Sequence, residues 1–157
     1  MTASKLVLNA ASGAGGSEPL DVTDVFSIDT WDGIGSGTTD INNGLDLLGE
    51  GGLVWLKSRN NSRAHLWQDT ARGAVNTNHY YYLVSNTTAG DASLGSLGVN
   101  AFQNNGYDVA DGWNTVQGSG NKSVGWSFRK APRFFDIVTY TGTGSNRTIS
   151  HSLDCEP

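Results

Sequence analysis

The side chains able to do chemistry are few, and their spacing speaks against most reactions. Glycoside hydrolysis needs two carboxylates flanking one bond, but the only glutamates are Glu18, Glu50 and Glu156, and none is spaced as a strand pair. Asp29 and Asp32 fall at a strand end and a turn, where aspartate has a structural reason to be. His65 and Asp69 alternate onto one strand face near Arg72, yet no nucleophile can be assigned beside them, and hydrogen bonding is the simpler role. His65, His79 and His151 lack the short spacing of a metal-ligand set. Asp108, Asp111 and Asn114 carry the oxygen donors of a calcium loop, but the same residues are ordinary turn formers. The chain therefore reads as a non-enzyme, with no catalytic residue, cofactor or metal assigned.

Binding chemistry is better represented. Trp113 stands in a long polar loop beside Asp111, Gly112 and Asn114, the composition of an aromatic platform for a sugar ring. Tyr80 and Tyr82 share one face of the most aromatic strand and are candidates to extend that platform. The competing role for each is packing, since large aromatics more often fill cores than bind ligands. At the other end, Lys5, Leu6, Val7 and Leu8 form a strand-like tip ahead of the Gly/Ala/Ser-rich run 10–17. That is the pattern of an anchoring arm able to add a strand to a neighbour's sheet.

These residues must be positioned by β-structure. Of 157 residues 21 are glycine and only 16% are charged, and no stretch sustains a helical period. Short β-branched and aromatic runs alternate with Gly, Asn, Asp and Ser clusters. Strands are expected at Val25–Trp31, Thr38–Asn42, Leu53–Leu56, Ala64–Thr70, His79–Ser85, Leu97–Phe102, Tyr107–Val109 and Ser123–Arg129, about ten in all with those of the C-terminal part. In the last of these, Val124, Trp126 and Phe128 are expected to point inward. Leu53–Leu56 is expected to be a central strand buried on both faces. The fold class is all-β: an antiparallel two-sheet sandwich, jelly-roll or concanavalin-like, with a flexible N-terminal arm.

The net charge of −5 argues against nucleic acid as a partner, and the cluster Arg129–Arg133 reads as a solvated loop. Cys155 is the single cysteine, so no internal disulfide forms. No apolar run is long enough to span a bilayer, so no membrane insertion is expected.

One internal repeat organises the chain. Phe26–Asp46 returns as Phe135–Asp154, at an offset of 109 and then, after one deletion, 108 positions. Phe26, Ile28 and Trp31 match Phe135, Ile137 and Tyr140, and Ile41, Leu45 and Asp46 match Ile149, Leu153 and Asp154. The expected organisation is an arm at 1–23, a sandwich at 24–133 that opens on a hairpin, and at 134–157 the opening hairpin of a second, truncated repeat. The alternative is that 134–157 supplies closing strands of the same sandwich.

Several motifs in order resemble a known family. They are the leader Leu8–Gly16, the run Gly49–Trp55, Asp69–Gly73, Trp126–Pro132 and the segment Phe134–Leu153. Together they resemble an uncharacterised domain of virion proteins from marine tailed bacteriophages, notably those of cyanobacteria. The resemblance implies a β-sandwich of the concanavalin-like lectin/glucanase type in a structural virion protein, assembled in the host cytoplasm. It supplies no catalytic residues. The expected role is a tail fibre or tail appendage attached through its N-terminal part and contributing to host attachment. The alternatives are a capsid decoration protein and a carbohydrate-binding module for host surface glycan. Expected partners are other virion proteins and further copies of the chain, with a trimer anticipated only from the usual geometry of fibres.

Overall fold

The computed structural model describes residues 19–76, 79–92, 98–110, 116–154 and 156. Ten strands occur among them: β1 (Phe26–Asp32), β2 (Thr38–Asn42), β3 (Gly52–Ser58), β4 (Leu66–Asp69), β5 (Ala74–Asn76), β6 (His79–Tyr80), β7 (Tyr82–Val84), β8 (Gly98–Gln103), β9 (Gly106–Ala110) and β10 (Lys122–Arg129). A single 3-10 turn, Val22–Asp24, precedes β1. Its cap is Asp21, whose carboxylate accepts from the Thr23 amide at 2.9 Å.

A five-stranded antiparallel sheet in the order β1-β10-β3-β4-β7 packs on a three-stranded sheet in the order β2-β9-β8, and β5 pairs with β6 separately. The molecule is thus a two-sheet β-sandwich. The core lies between the sheets. Trp31, Val54, Leu56, Leu66 and Tyr82 come from the larger sheet, and Ile41, Val99, Phe102, Tyr107 and Val109 from the smaller. Leu45, Leu47 and Val116 close its ends from loops.

Two devices fix one sheet against the other. Gln68 on β4 is fully buried; its side chain accepts from the Val99 amide at 2.7 Å and donates to the Val99 carbonyl at 3.3 Å. A side-chain amide that satisfies both groups of one backbone residue joins the sheets without leaving a buried polar group unpaired. Gly98 beside it has φ +75°, and a Cβ there would lie 2.2 Å from Gln68 Oε1. Tyr107 is the second device. Its ring is fully buried, and its hydroxyl occupies the space that a Cβ on Gly125 would take, 2.2 Å away.

That contact explains a reversal. Pairing Ser127 with Val54, Gly125 with Leu56 and Ser123 with Ser58 puts the small residues of β10 inside. Val124, Trp126 and Phe128 therefore lie on the outer side of the sheet, opposite to the sequence expectation. Apolarity chose the wrong face because the inner space over β10 is already filled by Tyr107. β3 is central in its sheet as expected, but only Gly52, Val54, Leu56 and Ser58 are buried; Leu53, Trp55 and Lys57 are half-buried on the outer face.

The expected entry hairpin is not formed either. β1 pairs with β10 and β2 with β9, so the two strands belong to different sheets. The glycine-rich connection crosses the end of the sandwich and binds the loop before β10. There Gly33 donates to the Asn121 carbonyl and Gly35 to the Gln117 carbonyl, both at 2.8 Å. The approach is so close that a Cβ on Gly33 would meet the Gly118 carbonyl oxygen at 2.3 Å.

Residues 136–154 form no strand. The segment is tied back on the sandwich by a bridge between Ala131 and Phe135 and by the Arg133 amide donating to the Leu153 carbonyl at 2.7 Å. Lys130 pairs with Asp136 at 2.9 Å. The Asp136 carboxylate also accepts from the amides of Ile137 and Ser152, at 2.8 and 2.7 Å, and so closes both ends of the loop between them. These contacts hold its carboxyl down at about 2, chiefly through Lys130 and then the Ser152 amide.

Candidate functional site

The residues singled out for chemistry are mostly engaged in structure. Asp69 is fully buried and pairs with Arg72, whose backbone amide also donates to the Asp69 carboxylate at 2.8 Å. That closes the turn after β4 and leaves no free carboxylate for His65. The His65 amide donates to the Asn86 side chain at 3.0 Å, and its carbonyl accepts from the Ser85 amide at 2.9 Å. His151 is exposed, and its Nδ1 accepts from the Leu153 amide. Among the described residues no three His, Cys, Asp or Glu side chains are grouped to hold a metal. Glu50 is largely exposed, 3.8 Å from Arg129.

One acidic pair was missed in the sequence. Asp40 on β2 and Asp108 on β9 are direct cross-strand neighbours, a relation that only the register reveals. Burial raises the Asp108 carboxyl, hydrogen bonds from Asn100 and the Ala101 amide oppose this, and the negative Asp40 adds to the rise. The Asp108 carboxylate accepts from the Ala101 amide at 2.6 Å, beside the irregularity in β8 between Val99 and Ala101. It therefore serves to hold a bulge. The Tyr107 phenol is pushed far above its usual range by burial, then by the charge of Asp29, so it stays neutral and exchanges no proton at ordinary pH.

Of the proposed sugar contacts, Asp111, Trp113 and Asn114 lie outside the described residues, as do Lys5, Leu6, Val7 and Leu8 of the arm. Tyr80 lies in β6, paired with Ala74, and its side chain is outside what is described. Tyr82 belongs to the core at 9% exposure, opposite Gln68, so its ring is committed to packing rather than to a platform.

The conspicuous surface is the outer face of the five-stranded sheet. The register aligns Ile28, Trp126, Trp55, Trp67 and Leu83 in one row across all five strands. At about 4.8 Å per strand the row is roughly 19 Å long. Trp55 lies 5.0 Å from Trp126 and meets Trp67 edge-on at 5.9 Å between ring centroids. A parallel row runs Phe26, Phe128, Leu53. These side chains are half-buried against one another, except Ile28, which is 56% exposed. The indole N–H groups of Trp55 and Trp67 are shielded from solvent and have no hydrogen-bond partner, so these two rings present carbon rather than donors. Alternation in β4 set Trp67 on the face opposite Leu66 and Gln68, β3 read as apolar on both faces and Trp126 as inward, and only the register placed all three tryptophans in one outer row.

No curated protein and no solved structure matches the chain. A family model described as a domain of unknown function, DUF7483, matches residues 21–133, from the cap of the first turn to the residue after Pro132. The chain thus belongs to that family, with the matched span covering all ten strands found among the described residues.

Proposed function

We propose that this chain is a non-enzymatic structural module of a bacteriophage virion, a component of a tail fibre or similar appendage held through residues 1–23. The observation that carries its working part is the aromatic row on the outer face of the five-stranded sheet. A contiguous apolar face of this kind is costly to leave in water and is characteristic of an interaction surface. Its partner in this reading is a second copy of the chain. The face already accepts one element of a related unit: Phe135, the counterpart of Phe26 in the repeat, stacks on Phe128 at 5.4 Å, while Phe26 stacks on it at 5.0 Å. The resemblance to virion proteins supports the location.

Light scattering of the purified 157-residue protein tests the assembly. An oligomer is expected at about 100 μM, a concentration that detects even weak self-association. Ile28→Lys and Leu83→Lys, at the two ends of the row, should return it to monomer with an unchanged circular dichroism spectrum. A monomeric wild-type protein at that concentration would overturn the face-to-face reading. Mass spectrometry of purified particles tests the location, and deletion of residues 1–23 should abolish incorporation. Absence of the intact chain from particles would sink the virion role; normal incorporation of the deletion would sink the anchoring arm.

A further inference from the structure

One marked difference between the two copies of the repeat lies at a hollow beside the sandwich. Tyr140 occupies the position of Trp31, yet it is 65% exposed where Trp31 is 8% exposed. It forms one wall of a hollow of about 460 Å³ whose other walls include Arg72, Tyr81, Asp91 and Thr139. That volume lies within the roughly 300–1,000 Å³ of ordinary small-molecule sites. Tyr140 also lines the neighbouring hollow, where the Arg147 guanidinium rests 4.6 Å from its ring centroid. Its ring is thus a partition braced by a cation.

We infer that this hollow is a binding site for a neutral saccharide. Two tyrosines supply the aromatic surface that the C–H face of a pyranose ring packs against. Asp91 makes no hydrogen bond or ion pair among the described residues and is exposed, so its carboxylate is available to accept from two vicinal hydroxyls. Arg72 is held by the buried Asp69, which fixes the direction of its remaining donors without ordering cost on binding. Charge selects against the anionic alternative. Arg72 is neutralised by Asp69, and Asp91 would repel a phosphate or sulfate. The site goes beyond self-assembly and is built from other residues: its walls come from the turn after β4, the residues flanking β7 and the C-terminal segment, and none of them belongs to the tryptophan row.

The test is an NMR titration of the 157-residue protein with glucose, galactose, mannose, N-acetylglucosamine and rhamnose, and with inorganic phosphate as the anionic control. At least one sugar should shift the resonances of Tyr81, Thr139 and Tyr140 with a Kd of about 1 mM or tighter. Tyr140→Ala should weaken that binding tenfold or more, and Asp91→Asn several-fold, with thermal stability unchanged in both. The inference is overturned if no sugar shifts these residues, if phosphate alone does, or if both variants bind like wild type. None of these outcomes bears on the oligomeric state, so the two readings fail separately.

Discussion

Residues 26–46 and 135–154 share a sequence pattern and meet different ends. In the first copy Trp31, Ile41 and Leu45 are buried in the core, and both strands lie in ladders. In the second copy Val138 and Tyr140 are exposed, and the residues after the Phe135 bridge form no ladder. The difference lies in the partners. The ladder positions of the first copy are made by β10 and β9, and within this sandwich both are already taken by β1 and β2. A strand pattern without a neighbouring strand has its backbone groups and its apolar face to satisfy elsewhere. The second copy keeps only its first contacts, Phe135 on Phe128 and Asp136 on Lys130.

The sharpest way to break this comparison is to truncate the matched aromatics. Trp31→Ala should cost about 3–5 kcal/mol in urea unfolding, the usual range for deleting a buried tryptophan. Tyr140→Ala should stay within about 0.5 kcal/mol of wild type, as expected for a surface site. Equal costs would mean that the copies play equivalent structural parts.

A smaller effect probes the slot that receives the first copy. Gly125→Ala should cost about 1–3 kcal/mol by overpacking against the Tyr107 hydroxyl. Tyr107→Phe in the same chain should recover part of that loss, and a double-mutant cycle measures how much. Strict additivity would show that the two residues are not in contact.

The smallest effect concerns the second copy alone. Asp136 has a carboxyl lowered to about 2, so its tie is complete above the ordinary value of 3.8 and is lost as pH falls towards 2. The contribution is on the order of 1–2 kcal/mol after allowance for solvent screening at the partly exposed Lys130. Limited proteolysis between pH 5 and 2 should show cleavage within 137–152 rising with acid, and Asp136→Asn should be cleaved at a pH-independent, higher rate. A wild-type rate that is flat over this range would refute the clamp.

Much of the fold was legible because its signals are local. The Asn104–Asn105–Gly106 turn, the central position of β3 and most strand positions follow from alternation and turn chemistry. The faces were less legible. In β10 the apolar set Val124, Trp126 and Phe128 is outside and Ser123, Gly125 and Ser127 inside, since Tyr107 leaves room only for small residues. The run Tyr80–Tyr81–Tyr82 carries no mark of which parity faces the core; opposition to Gln68 turned Tyr82 inward, and Tyr81 reached the hollow. The candidate surfaces suffered most, because both are made by residues far apart in the chain.

The sequence by itself determined the all-β class, the positions of the turns and the existence of the repeat, since each rests on periodicity and on residues with restricted or permissive backbones. Only the tertiary structure decided that β1 and β2 part into different sheets, that three tryptophans share one outer row, and that Tyr140 is exposed where Trp31 is buried. Those outcomes depend on which strand lies beside which, and alternation specifies a face without naming a neighbour.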